Sequence, residues 1–185
     1  DCAAGKYGPS EGNDDAADCI ACVAGKYAST TGNDAESDCV KCAAGTYVAS
    51  VGAVSVDACL ACAAGKYSPT LGATGEATCI ACGAGKYLTS QGSDAETDCV
   101  HCGAGKYSPT LGASEAVTCI ACGAGKYLTT QGNDAETDCV LCGAGKYSPT
   151  VEAAAAATCI ECLAGKYSPT LGATEAATCI ACTAG

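Results

Sequence analysis

The sequence predicts a small disulfide-rich fold with minor β structure, an elongated, solenoid-like rod of tandem 20-residue cysteine-rich repeats. Three observations predict it. Cysteine supplies 19 of the 185 residues; after Cys2 the cysteines fall in pairs at 19 and 22, 39 and 42, and onward to 179 and 182, a unit of Cys-x16-Cys-x2 with a period of 20. Ile, Leu and Val total 23 residues and Phe, Met and Trp are absent, too few large apolar side chains for a conventional globular core. A chain so composed stays disordered unless cross-links hold it. The nine units are 2–21, 22–41, 42–61, 62–81, 82–101, 102–121, 122–141, 142–161 and 162–181, one continuous array over 1–185 with a truncated tenth at 182–185. No initiating Met or signal peptide is visible, and the chain reads as a window cut from a longer protein.

Each unit opens with Ala-Gly-Lys-Tyr; only Thr46 replaces the Lys. The Gly supplies backbone freedom for a turn, and the Tyr segment predicts a short strand. Three residues after each Tyr stands a hydroxyl: Ser10, Thr30, Ser50, Thr70, Ser90, Thr110, Thr130, Thr150 and Thr170. A Gly follows two residues later, except at Glu152, and marks a turn. The segment before the closing Cys is predicted as the second strand. Ala153 to Ala157 alone has the composition of a helical turn. After each closing Cys comes an aliphatic residue (Ile20, Val40, Leu60, Ile80, Val100, Ile120, Val140, Ile160 or Ile180), predicted to share a narrow stacked core with the Tyr and the cysteines. The next position takes Ala21, Lys41, His101, Leu141 or Glu161, a tolerance that predicts solvent exposure.

A second period of 40 overlies the first. Units from Cys62, Cys102 and Cys142 carry Ser-Pro-Thr and close on Thr-Cys-Ile; those from Cys82 and Cys122 carry Leu-Thr-Ser or Leu-Thr-Thr and close on Asp-Cys-Val. Successive units are thus expected to show different faces. Two strands per unit at ~4.8 Å each would give a rise of roughly 10 Å and a rod of about 90 Å.

Charge narrows the partners. Nine Lys, no Arg and 20 acidic residues give a net charge of -11, which speaks against nucleic acid and anionic membrane surfaces. No apolar run is long enough to span a bilayer. No catalytic constellation is present, since one His, at the tolerant position 101, cannot serve nine equivalent sites, and no cofactor motif occurs.

The cysteine spacing admits zinc as well as disulfides, but every unit carries the motif and His101 is the single histidine, so disulfides are the stronger reading. Two pairings suit the spacing. One lies within each unit: Cys2–Cys19, Cys22–Cys39, Cys42–Cys59, Cys62–Cys79, Cys82–Cys99, Cys102–Cys119, Cys122–Cys139, Cys142–Cys159 and Cys162–Cys179, with Cys182 left to pair outside the window. The other is nested, such as Cys19 with Cys42 around Cys22 with Cys39. An 18-residue loop closed by one bridge is worth about 3 kcal/mol in the chain-entropy model. Either pairing implies an oxidising, extracellular or cell-surface environment.

Units such as Cys102 to Cys122, with Cys, small-Gly-Lys-Tyr, a Ser/Thr/Gly turn and Cys-x2-Cys, resemble the ephrin-receptor-like cysteine-rich repeat and the first, one-disulfide part of tumour necrosis factor receptor modules. The resemblance implies an elongated ectodomain with little secondary structure and with bridges inside each unit. The further cysteines of a six-cysteine receptor module are absent, and these units vary far less than receptor modules do.

Further candidates complete the reading. Ser68, Thr70, Ser108, Thr110, Ser148, Thr150, Ser168 and Thr170 flank prolines as in glycosylated stalks and are candidates for O-linked sugar. Pro69, Pro109, Pro149 and Pro169 are candidates for hydroxylation with attached sugar, and no Asn-x-Ser/Thr sequon occurs. Alternating carboxylates at Asp94, Glu96 and Asp98, at Asp134, Glu136 and Asp138, and at Asp34, Glu36 and Asp38 are weak calcium candidates that lack a full calcium loop; a solvated edge paired with the lysines is the stronger reading. Leu88, Leu128 and Leu141 are candidates for lateral contacts. The function expected is that of a structural extracellular rod, fibre or stalk, glycosylated and self-associating. The alternative is the ligand-binding ectodomain of a receptor or adhesin, and a third reading is a secreted metal-binding array.

Overall fold

The computed structural model describes residues 1–9 and 15–183; Ser10 of the hydroxyl column and the tail of the tenth unit, Ala184 and Gly185, lie outside the described residues. Two compact bodies make up the chain: Asp1–Cys82 with Leu88–Cys99, and Gly83–Tyr87 with Val100–Gly185. The repeats are built alike in both.

In the first body, Lys26–Tyr27 pairs antiparallel with Val40–Lys41, placing Tyr27 opposite Val40. In the second body, Lys106–Tyr107 pairs in the same way with Ile120–Ala121. The second strand therefore follows the closing Cys, where the sequence reading placed it before that Cys. The segment before it is one turn of 3-10 helix, as at Glu96–Asp98 and Ala116–Thr118. Its last residue explains the Asp/Thr alternation. Asp98 Oδ2 accepts the Ala95 N–H at 3.2 Å, whereas Thr118 Oγ1 donates to the Glu115 carbonyl at 2.7 Å. Either side chain secures an otherwise exposed turn through a local side chain–backbone bond. The helical turn that composition suggested for Ala153 to Ala157 lies at Ala156–Thr158 and recurs at the equivalent place in the other repeats.

Burial departs from the predicted core. The first Cys of each repeat from Cys22 to Cys142 is at most 1 % exposed, so the disulfides themselves are the centre. Tyr7, Tyr27, Tyr67 and Tyr107 each pack forward onto the next repeat. Tyr7 packs on Cys22, Ala28 and Cys39; Tyr67 on Cys82, Leu88 and Cys99; Tyr107 on Cys122, Leu128 and Cys139. The residue after the Tyr is thus the second buried position. The aliphatic after the closing Cys is not buried: these residues are 46–56 % exposed. Facing residues of an antiparallel pair share a side, and the forward-leaning Tyr already covers the disulfide, leaving the aliphatic at the rim.

Backbone bonds join one repeat to the next. Gly25 donates to the Val48 carbonyl at 2.8 Å, Ala28 to Ala53 at 3.0 Å and Gly52 to Cys22 at 2.7 Å, while Cys42 donates to Gly25 at 2.9 Å. In the second body Gly105 donates to Leu128, Ser108 to Asn133, Gly132 to Cys102 and Cys122 to Gly105. Each such bond contributes about 0.5–1.5 kcal/mol net, and none is made by a side chain. Repeats also touch the next but one. Gly25 has φ +86, and a Cβ there would fall on the Gly72 carbonyl; Gly85 stands in the same relation to Gly132. Gly85 and Gly132 belong to repeats of one sequence type, whereas Gly25 and Gly72 belong to repeats of different types, so the contact tolerates both.

Candidate functional site

The nine disulfides run inside repeats: Cys2–Cys19, Cys22–Cys39, Cys42–Cys59, Cys62–Cys79, Cys82–Cys99, Cys102–Cys119, Cys122–Cys139, Cys142–Cys159 and Cys162–Cys179, with Cα separations of 5.6–5.9 Å. Cys182 is exposed and lies outside any disulfide. The 3-10 turn delivers the closing Cys, and the buried opening Cys is anchored by its own N–H to the preceding repeat's Gly, as in Cys102 to Gly85 at 2.8 Å. The bridge position is thus fixed from both ends by backbone.

The Ser-Pro-Thr turns divide into a buried and an open half. Ser68, Ser108 and Ser148 are fully buried and Ser168 is 3 % exposed, while Pro69, Thr70 and their equivalents are exposed. The Ser hydroxyl accepts the N–H of the Thr at 3.4 Å, a small local turn. Burial removes the four serines from the hydroxyls that the folded chain can offer for sugar attachment. They occupy the position after Tyr, whose burial the sequence reading missed. The signal was there: Ala28, Val48, Leu88 and Leu128 share that column, a run of small or apolar residues.

The same column corrects the lateral-contact candidates. Leu88 and Leu128 are 3 % and 4 % exposed and belong to the core, and of the three only Leu141 is open, at 47 %. Leu141 also lies over Gly172, as His101 lies over Gly132 and Lys41 over Gly72. The tolerant column is therefore exposed but not idle: it covers the turn glycine of a later repeat, and any side chain that can lie flat there is accepted.

The calcium candidates do not converge. Asp98 and Asp138 use Oδ2 to hold the N–H groups of Ala95 and Ala135, and Glu136 pairs with Lys126 at 2.8 Å. Among the described residues no group of three or more His, Cys, Asp or Glu is arranged to hold a metal ion. Most of the lysines join the acidic edge instead. Lys26 meets Glu36 at 2.8 Å, Lys66 meets Glu76 at 2.9 Å, and Lys106 reaches Glu152 at 3.0 Å, two repeats on. The hydrogen bond from the Lys, reinforced by its charge, holds the carboxyls of Glu36 and Glu136 below their usual pKa. A shallow depression beside Leu141 is lined by Lys126, Glu136, Thr137 and Cys139, so its charges answer each other. Among the described residues no helix is long and apolar enough to cross a membrane.

No curated protein matches the chain. Residues 10–59 and 57–99 match the model of a family described as tyrosine-protein kinase ephrin type A/B receptor-like. The disulfides and this receptor-like family point to an extracellular or cell-surface setting. Residues 10–99 thus resemble the ephrin-receptor-like cysteine-rich repeat, and the repeats from Cys102 onward carry the same disulfide, strand pair and turn as those residues.

Proposed function

We propose that the chain is a structural, extracellular rod, fibre or stalk component in which the repeats 2–21 to 162–181 act as one continuous array. The observation that carries this reading is the backbone-to-backbone bonding of repeat to repeat beside a disulfide in each. Such a scheme extends without a specialised repeat, and near-identical repeats suit a spacing or mechanical task better than selective recognition. Repeat proteins stabilised by nearest-neighbour contacts lengthen in this way. Sugars on the exposed turns, at Thr or at hydroxylated Pro69, Pro109, Pro149 and Pro169, would keep such rods soluble, and Leu141 would serve lateral association. Small-angle scattering of the unreduced chain tests the shape. A ~90 Å rod has a radius of gyration of roughly 26 Å, whereas a compact domain of 185 residues has one of about 16 Å; the compact value would overturn the proposal.

The family match favours a second reading, a ligand-binding ectodomain of a receptor or adhesin. Hot spots for protein ligands are enriched in Trp, Tyr and Arg. Trp and Arg are absent, and Tyr7, Tyr27, Tyr67 and Tyr107 pack on neighbouring repeats, which weighs toward the structural role.

A further inference from the structure

We propose that Thr70, Thr110, Thr150 and Thr170 are the attachment points of an O-linked glycan. The inference rests on the extracellular reading above and deepens it by naming the hydroxyls. The nine-membered hydroxyl column looks uniform in sequence, but the fold divides it. In three of the four repeats without proline the hydroxyl is engaged three residues on: Thr30 Oγ1 donates to Asn33 Oδ1 at 2.6 Å, Thr130 Oγ1 to Asn133 Oδ1 at 3.0 Å, and the Ser90 and Ser93 hydroxyls lie 3.0 Å apart. In the Ser-Pro-Thr repeats that facing position is Ala73, Ala113, Ala153 or Ala173, buried and without a polar side-chain atom. The Thr hydroxyl there has no hydrogen-bond partner among the described residues. It is also exposed, while the Ser two residues earlier is buried.

The proline adds the second requirement. It lacks an N–H and fixes its own φ, so Pro-Thr presents an exposed segment outside any strand, its Thr N–H held only by the Ser hydroxyl at 3.4 Å, that a transferase can grip without unfolding the repeat. Ser50 faces Ala53 but follows Ala49, and so has the free hydroxyl without the proline. In the transfer, Thr Oγ1 bonds to the anomeric carbon of a nucleotide-activated sugar. The bond from that carbon to the nucleotide phosphate breaks, the nucleoside diphosphate leaves with the electron pair, and the hydroxyl proton passes to the transferase.

The test is site-resolved mass mapping, with electron-transfer fragmentation, of the chain secreted unreduced from a host whose secretory pathway attaches O-linked sugar. The expected result is hexose or pentose mass on the four threonines, with Thr30, Ser90, Thr130 and the four buried serines bare. Thr110→Val should remove one glycan without changing the others. Ala113→Asn, which copies the sister repeat, should lower occupancy at Thr110 several-fold. Bare threonines, sugar on hydroxylated proline in their place, or equal occupancy at Ser50 would overturn the proposal. Bare threonines in a chain with all nine bridges and a rod-like scattering curve would leave the structural reading standing; free thiols would remove both.

Discussion

Glu152 occupies the one turn position where the other repeats have glycine, and it adopts φ +58. A non-glycine residue in the left-handed region costs on the order of 1 kcal/mol. What Glu152 gains is an ion pair to Lys106 with both side chains partly exposed, worth ~0–1 kcal/mol. Glu152→Gly should therefore raise stability by up to about 1 kcal/mol, read as a higher guanidinium midpoint with disulfides intact. A lower midpoint would mean that the pair outweighs the strain. Gly25→Ala is the opposite case. Positive φ combines with a Cβ that would fall on the Gly72 carbonyl, so the loss should exceed ~2 kcal/mol. Glu36 and Glu136 set a pH dependence of definite sign. Their carboxyl pKa is lower folded than unfolded, because of Lys26 and Lys126. The pairs therefore stabilise the fold above the usual carboxylate pKa and lose that contribution as pH falls through the lowered value. Carboxyl NMR should report the depression at Glu136, and Lys126→Met should return it toward the ordinary range. Both groups are exposed, so salt should shrink the effect.

At the scale of the element, two leucine-sized residues close in sequence, Ile120 and Leu128, behave differently. Leu128, 4 % exposed, packs on Cys122 and Cys139, while Ile120, 46 % exposed, sits at the rim of its strand pair. Leu128→Ala should cost about 2–3 kcal/mol and Ile120→Ala under ~1 kcal/mol, compared by chemical denaturation. Equal losses would mean that the aliphatic column is core after all. This contrast also marks where the sequence was legible. The period, the short strand at Lys-Tyr and the disulfide-rich class could be read directly, because covalent spacing and turn glycines are local signals. The second strand and the identity of the core could not. A two-residue strand carries no periodicity, and an invariant aliphatic looks like core unless one knows that the Tyr leans into the next repeat. The hydroxyl column failed for a similar reason: whether Thr110 or Thr130 is free depends on Ala113 or Asn133, a partner chosen by turn geometry and not by composition.

For the whole molecule the sequence has few large apolar residues and a net charge of -11. Many of the large aliphatic residues it does have remain half exposed. Burial of side chains therefore supplies little, and what remains is bridges and inter-repeat backbone bonds. Those bonds require the chain already to be folded back at each repeat, which is what a bridge across a separation of 17 residues enforces. The two are thus coupled: a reduced repeat loses about 3 kcal/mol of loop constraint, and with it the alignment of its neighbours' N–H and C=O groups. Full reduction should accordingly abolish the slow hydrogen exchange of the Gly and Cys amides throughout and leave a disordered, acidic chain. Reducing a single repeat, through Cys102→Ser with Cys119→Ser, should expose the amides of Gly105, Ser108 and Cys122 first, since these lie in the ladder around that bridge. Protection that survives full reduction would assign the stability to side-chain packing, and would contradict a fold in which the cysteines stand where a hydrophobic core ordinarily does.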